Sequence, residues 1–299
     1  MDRFHTMTVF ANVADEGGFA PAARRLNMSP PSVTRAVSEL EERLGCRLLH
    51  RTTRSVKLTE AGERYLADCR KILAEVEEAD RHAAGIHAAP RGLVSVSAPL
   101  LFGCMVVTPI LLDLIDRYSE ISVRTLFVDR IVHLLDEGID VVVRIADLPD
   151  SALSAIYVGS VRRVLCAAPS YLAEHGAPRD LTDLDRHQFV IHTAMTPGGE
   201  WAFDDNGRSH GYRPNARLLL NNGDAAIKAA TQGHGITRVL SYQVAPLIES
   251  GALEIVLEHL EPPPAPVHVL HKEPGQTSAR VRAVVDHLVE HLRKCPDLA

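Results

Sequence analysis

Apolar residues recur at Phe4, Met7, Phe10 and Val13, a spacing close to the helical period, and this stripe predicts a first short helix that "DEGGF" closes. A second short helix follows, with Phe19, Ala22, Ala23 and Leu26 on one face, and it ends at "NMS". Residues 29–45 then read "SPPSVTRAVSELEERLG". Ser29 is placed as an N-cap, and Pro30 takes the first helical position, where its missing N–H has no intrahelical partner to lose. Val33, Val37, Leu40 and Leu44 form one apolar stripe before Gly45 ends the helix. In "RLLHRTTRSVKL", β-branched and polar residues alternate around "TTR" as in a small hairpin.

The period changes at Thr59, a plausible N-cap with Glu60 and Glu63 in the first turn. Tyr65, Cys69, Ile72, Val76, Ala79, Ala83 and Ile86 alternate at four and three, which is heptad spacing, and charge flanks the seam. Such a seam suits a dimerising linker helix better than a helix packed within its own chain. "AAPRG" at 88–92 closes it and marks a domain boundary. Strand-like and helix-like segments then alternate: "LVSVS", "TPILLDLIDRYS", "ISVRTLFV", "RIVHLLDEG", "IDVVVRI". Thr108 and Pro109 read as N-cap and first helical turn. This βαβ order predicts a parallel sheet with helices on its faces. A similar run follows, "RRVLCAA", "QFVIH", "ARLLLNN", "DAAIKAATQG", "ITRVL", "LEIVLEH", and the chain closes with "VHVLH" and a last helix over about 277–294.

With 299 residues, the chain is long enough for two or more domains. Residues 92–112 carry no charge and raise the question of a membrane span, but Ser95, Ser97, Pro99, Gly103, Thr108 and Pro109 punctuate them as strand, loop and helix of a buried segment. The start, "MDRFHTMTVFANV", has no basic region and no uninterrupted apolar run of an export signal, so the expected location is cytoplasmic, with no membrane partner. Five cysteines, odd in number and never in a CxxC pair, point to reduced thiols rather than disulfides or a zinc site.

Net charge is −6, unpromising for a nucleic-acid binder until its distribution is considered. Residues 1–58 hold nine Lys or Arg against six acids, a balance of +3 that leaves −9 for the remainder. From Arg43 to Lys57 there are five basic residues and no acid, a local field that could meet phosphates or form a solvated basic face. In the 29–45 helix, Ser29, Pro31, Ser32, Thr34 and Arg35 cluster at the N-terminal end, where hydroxyls, a cation and free N–H groups can reach bases and phosphates. Glu39, Glu41 and Glu42 lie farther along, the polarity expected if only the first turns enter a groove. Periodicity alone leaves a core helix and a groove-reading helix equally open. The order of elements decides between them.

"FAPAARRLNMSPPSVTRAVSELEERLGCRLLHRTTRSVKLTEAGERYL" resembles the N-terminal winged helix-turn-helix of LysR-type transcriptional regulators, closely over residues 3–66 and more weakly along the chain through "SAP", "DVVVRIADLPDSAL", "AAPSYL", "WAF", "GHGITRVLSYQV" and "SGALEIVL". The resemblance implies a multidomain α and α/β chain: a winged helix-turn-helix DNA-binding domain over 1–58, a linker dimerisation helix over 59–88, and an effector-binding domain over 89–299. The last would be two-lobed and periplasmic-binding-protein-like, with one lobe at 93–161 and 267–299 and the other at 162–266. It implies base and backbone contacts from Ser29, Pro31, Ser32, Thr34 and Arg35, and minor-groove and phosphate contacts from Arg51 and Arg54 of a wing at 48–58. Ala22, Ala23 and Leu26 match the buried core. Pro30 stands where many members have Gln, and Ser241 where many have Pro.

Ligands of doubly wound sheets bind beyond the carboxyl ends of strands, which puts Ser97, Ala98, Pro99, Leu100 and Leu101 at that edge. By resemblance the effector contacts lie there and at His192, Thr193, Asn222, Gly223, Gly235, Ile236 and Thr237, with Arg238 adding a cation. Hydroxyls, amides and a cation suit a small organic or aromatic acid. The expected partners are double-stranded DNA carrying an imperfect palindrome, the effector, a second or further copies of the chain as homodimer or homotetramer, and RNA polymerase. "HLVEH" at 287–291 matches the inverted zinc-protease signature H-x-x-E-H, but no third ligand is evident and no chain remains downstream to complete a protease, so neither metal nor cofactor nor enzymatic activity is expected. The rival is a small-molecule binding protein or enzyme of the α/β region, with the first module a non-DNA oligomerisation arm.

Overall fold

The computed structural model describes residues 2–51, 56–83, 90–132, 134, 137–148, 154–272 and 278–298. Its contacts divide the chain into two compact units, Met1–Ala89 and Pro90–Ala299. The first contains α1 (Arg3–Asp15), α2 (Phe19–Arg25), α3 (Pro30–Leu44), an antiparallel hairpin of β1 (Leu49–Arg51) and β2 (Val56–Leu58), and α4 (Glu60–Ala83). Phe10, Val13, Ala22, Val33, Val37, Leu40 and Cys69 are buried in one core. Thr59 caps α4: its Oγ1 accepts the Gly62 N–H at 2.9 Å and donates to the Arg47 carbonyl at 2.8 Å. Gly62 is required there, because an added Cβ would lie 2.0 Å from the Leu48 carbonyl oxygen.

The heptad seam of α4 is divided. Cys69 is buried, and Tyr65 and Ile72 pack against the same core, so the first turns serve the chain's own domain. Val76 is half-buried, the side chains of Ala79 and Ala83 are not described, and Ile86 lies outside the described residues.

The second unit has two five-stranded sheets. The first has the order β4 (Ile121–Phe127), β3 (Gly92–Ala98), β5 (Val141–Ile145), β14 (Ala265–His271), β6 (Ser154–Val161). The second runs β11 (Leu218–Leu220), β8 (Phe189–His192), β12 (Ile236–Leu240), β7 (Arg163–Ala167), β13 (Glu254–Val256). An additional hairpin pairs β9 (Trp201–Asp205) with β10 (Arg208–Tyr212). The remaining helices are α5 (Leu100–Phe102), α6 (Thr108–Arg117), α7 (Pro169–His175), α8 (Gly223–Thr231), α9 (Ser241–Glu249) and α10 (Ala279–Leu292). No described helix is long and apolar enough to cross a membrane.

Three sequence expectations change. The sheets are mixed rather than parallel: β3 is parallel to β4 and β5, whereas β14 runs antiparallel to β5 and β6, because the chain leaves the first sheet through β6 and returns through β14. The helix assigned to "RIVHLLDEG" is not seen, since no described residue of 128–140 is helical; Val132 and Leu134 are nevertheless buried, with Ile139 and Leu270, so the apolar spacing reflects burial of a turn. Pro109 lies in the first turn of α6, but Thr108 is not its N-cap, because Val107 before it is already helical. Residues 100–117 are one helical run in which Gly103–Val107 is a π-turn, a widening that accommodates the N–H missing from Pro109. Thr108 Oγ1 donates to the Gly103 carbonyl at 2.8 Å, and a Cβ on Gly103 would lie 2.4 Å from the Phe127 ring.

The two crossings between sheets lie at Arg162, between β6 and β7, and at 257–264, between β13 and β14. Arg162 joins them: its Nε donates to Glu261 Oε2 at 2.8 Å and its Nη2 to Glu261 Oε1 at 2.8 Å and Glu258 Oε1 at 2.6 Å.

Candidate functional site

Helices α2 and α3 are joined by a tight turn in which Asn27 takes a left-handed conformation, φ 52°, and the Met28 N–H returns to the Ala23 carbonyl. Ala22, Ala23, Val33, Ala36, Val37 and Leu40 are buried on the facing sides, with Leu26 half-buried beside them. The opposite side of α3 begins with an N-cap in which Ser29 Oγ accepts the Ser32 N–H at 3.3 Å and stands 2.8 Å from Ser32 Oγ. Thr34 Oγ1 donates to the Pro30 carbonyl at 3.0 Å. Ser29, Pro31 and Arg35 are exposed and Ser32 and Thr34 partly so, which brings these five together on the first two turns. Arg35 is held by Glu39 one turn on, Nε to Oε1 3.0 Å, so contact with a phosphate or base would exchange that partner.

Sequence reasoning missed Glu41. Grouped with the exposed acids, it is instead 4% exposed and fastens the hairpin. Its Oε1 accepts the N–H groups of Leu48 at 2.8 Å and Leu49 at 3.1 Å, and its Oε2 accepts Arg47 Nη1 at 2.9 Å. The available signal was its spacing, four after Val37 and three before Leu44, which puts it on the apolar stripe. Arg51 pairs in register with Val56, while its side chain and all of 52–55, including Arg54, lie outside the described residues.

In the second unit a cleft of about 440 Å³ is lined by Ser97, Ala98, Pro99 and Leu101 from the end of β3 and the turn after it, and by Asp129, Arg144, His192, Tyr242 and Gln243 among others. That volume suits a small organic ligand. The Ser97 hydroxyl donates to the Leu126 carbonyl at 2.7 Å, as a satisfied strand-end residue would. The Leu100 N–H, the start of the helical run, is taken by Asp129 Oδ1 at 2.9 Å. His192 is buried, and burial holds its imidazole below the ordinary range while Asp129 and the Asn221 backbone pull it upward. Gly223 backs the cleft: a Cβ there would meet Leu101 Cδ1 at 3.1 Å and His192 Cε1 at 3.3 Å, and Asn222 Oδ1 caps α8 by accepting the Ala225 N–H.

The structure does not place the other predicted residues on this lining. Leu100 and Thr193 flank it without lining it. Gly235 sits against the Gln188 carbonyl, 2.3 Å from where a Cβ would be, and Ile236 is buried with Trp201 and Phe203. Thr237 is fully buried in β12, its hydroxyl unpartnered. Arg238, expected as the cation, is 4% exposed with its guanidinium 5.7 Å from the centre of the Phe203 ring, and burial lowers its pKa to about 10. Two cations line the cleft, of which Arg144 of β5 is half-buried and without an ion-pair partner among the described residues. Arg130, also on the lining, is held by both oxygens of Glu137 at 2.7 and 2.5 Å.

Comparison with known proteins places both units. Residues 4–63 match the family model "Bacterial regulatory helix-turn-helix protein, lysR family", and residues 87–293 match "LysR substrate binding domain". The chain is 32% identical over 291 residues to the HTH-type transcriptional activator AaeR of Escherichia coli K12, covering 97% of this chain and 94% of that one. It is 34% identical over 287 residues to the HTH-type transcriptional regulator DmlR of the same organism, covering 95% and 93%. Among solved structures, CrgA, a LysR-type transcriptional regulator from Neisseria meningitidis, superposes with a TM-score of 0.62 at 29% identity, over 98% of this chain and 99% of that one.

Proposed function

The chain belongs to the LysR family of transcriptional regulators, and from that premise we propose that it reads an imperfect palindrome in promoter DNA through the first two turns of α3 and answers to a small organic acid in the cleft. The observation that carries the DNA reading is the exposed cluster of Ser29, Pro31, Ser32, Thr34 and Arg35 at an N-terminus whose opposite face is buried. Arg35 is the side chain with reach for a guanine edge, and the hydroxyls and N–H groups position the helix on phosphates. Arg51 and Arg54 of the wing supply further phosphate and minor-groove contact in this reading.

The later seam of α4 pairs two chains, so that two recognition helices meet successive major grooves about 34 Å apart. Met105, Leu112 and Ile115 leave an exposed apolar stripe on the 100–117 helical run, which favours further contact between copies and a tetramer. The protein works in the cytoplasm, and the effector acts by changing how the copies sit on DNA and hence their contact with RNA polymerase.

The acid is recognised by Arg144, with His192 and the Tyr242 hydroxyl as hydrogen-bonding groups beside it. A thermal-shift screen against aliphatic and aromatic carboxylic acids tests this, since a ligand that binds only the folded chain raises its melting temperature. The expected hit loses its shift in Arg144→Gln. A hit that stabilises the parent and Arg144→Gln equally would remove Arg144 from the site.

A further inference from the structure

We propose that Asp113, His287 and His291 form a binding site for a first-row divalent transition metal ion, of the Zn²⁺ or Ni²⁺ class, joining α6 to α10. The two histidines stand one turn apart on α10, and Asp113 of α6 faces them. Asp113 Oδ2 lies 3.1 Å from His287 Nε2 and 3.6 Å from His291 Nε2, and one ligand atom from each of the three residues falls within 4.8 Å of the others. Ligands held at ~2.0–2.1 Å around a tetrahedral Zn²⁺ stand about 3.3–3.4 Å apart, and the two separations from Asp113 bracket that spacing.

The hydrogen bonds of the ring nitrogens point the same way. His291 Nδ1 is 2.9 Å from the His287 carbonyl, which only accepts, so Nδ1 carries the proton. The Nε2 of that ring is thereby turned to the same carboxylate oxygen that His287 Nε2 faces. Donation from the second nitrogen to a carbonyl is also how metal-bound imidazoles are oriented. His287 is 3% exposed, so its ring is buried with Nε2 facing the Asp113 carboxylate. Glu290, the acid of H-x-x-E-H, is turned away to Lys294 at 2.8 Å and supplies neither a ligand nor a base. The third ligand that "HLVEH" lacks in sequence therefore comes from a distant helix. Asp113 and His291 keep 62% and 35% of their side-chain surface, leaving a fourth position open to water.

The test titrates the full-length protein, stripped of metal by a chelator, with ZnCl₂ and separately with CoCl₂. The expected result is one ion per chain, a higher melting temperature with Zn²⁺ and the intense visible bands of tetrahedral Co²⁺. His291→Ala and Asp113→Ala, both at partly exposed positions, should keep the parent's circular dichroism and bind at least ~10-fold more weakly. No saturable binding, or binding by both variants with the parent's affinity, as capture by the cysteines would give, overturns the proposal.

Discussion

Truncating Glu41 tests whether α3 holds the wing in place. Glu41→Ala removes one acceptor oxygen shared by the N–H groups of Leu48 and Leu49 and a second oxygen paired with Arg47. Leu48 and Leu49 are 1% and 3% exposed, so no solvent replaces the lost acceptor. Each buried N–H left without a partner costs about 1–3 kcal/mol. The Arg47 guanidinium side chain is 73% exposed, and its pair adds only ~0–1 kcal/mol after solvent screening. The change should therefore cost about 2–7 kcal/mol, whereas Glu41→Gln, which keeps a carbonyl oxygen in place, should cost about 1 kcal/mol. The assay is amide hydrogen exchange at Leu48 and Leu49 in the full-length protein, where each ~1.4 kcal/mol is a tenfold change in opening. Glu41→Ala should accelerate exchange by about thirtyfold or more and Glu41→Gln by roughly tenfold or less. Indistinguishable rates for the two variants, both within about threefold of the parent, would refute the reasoning.

Two further outcomes follow from named side chains. Arg35→Ala should weaken binding to the specific site by ~1–3 kcal/mol and relax base preference, measured by competition with scrambled DNA; unchanged preference would remove α3 as the reader. Burial holds His187 and His192 below the ordinary imidazole range, so as pH falls through about 6.5 the unfolded chain takes up protons first and stability present above that pH is lost. Urea unfolding should show a lower midpoint at pH ~5.5 than at pH ~7.5, and a flat or rising midpoint would contradict the assignment of these histidines as buried and neutral.

The helix-turn-helix was legible because its signals are local: Ser29 and Pro30 at one end of α3, Gly45 in the left-handed region at the other, and Thr59 opening α4. Non-local features were hidden. Glu41 reads as surface charge until its partners on the hairpin are known, and Arg238 reads as exposed until β12 lies at the centre of a sheet against Phe203. Arg144, in the apolar run "VVVRI", gave a local hint, a lone cation in a buried strand, whose meaning depends on the cleft beside it. The β9–β10 hairpin had a local signal that went unread: "NG" at 206–207, with both residues at positive φ, is the turn that two-residue hairpins favour. Mixed sheet order was out of reach, since alternation of strand and helix cannot reveal that the returning strand β14 inserts antiparallel between β5 and β6. The same holds for Asp113, which meets His287 and His291 only after α6 and α10 pack.

The central claim is that α3 reads promoter DNA, and footprinting the full-length protein across promoters, its own included, tests it most directly. The account predicts a protected, partly palindromic site with half-sites one helical turn or a multiple apart, lost in Arg35→Ala at concentrations that protect with the parent. No protected site at any promoter would contradict it, as would a footprint that Arg35→Ala leaves unchanged.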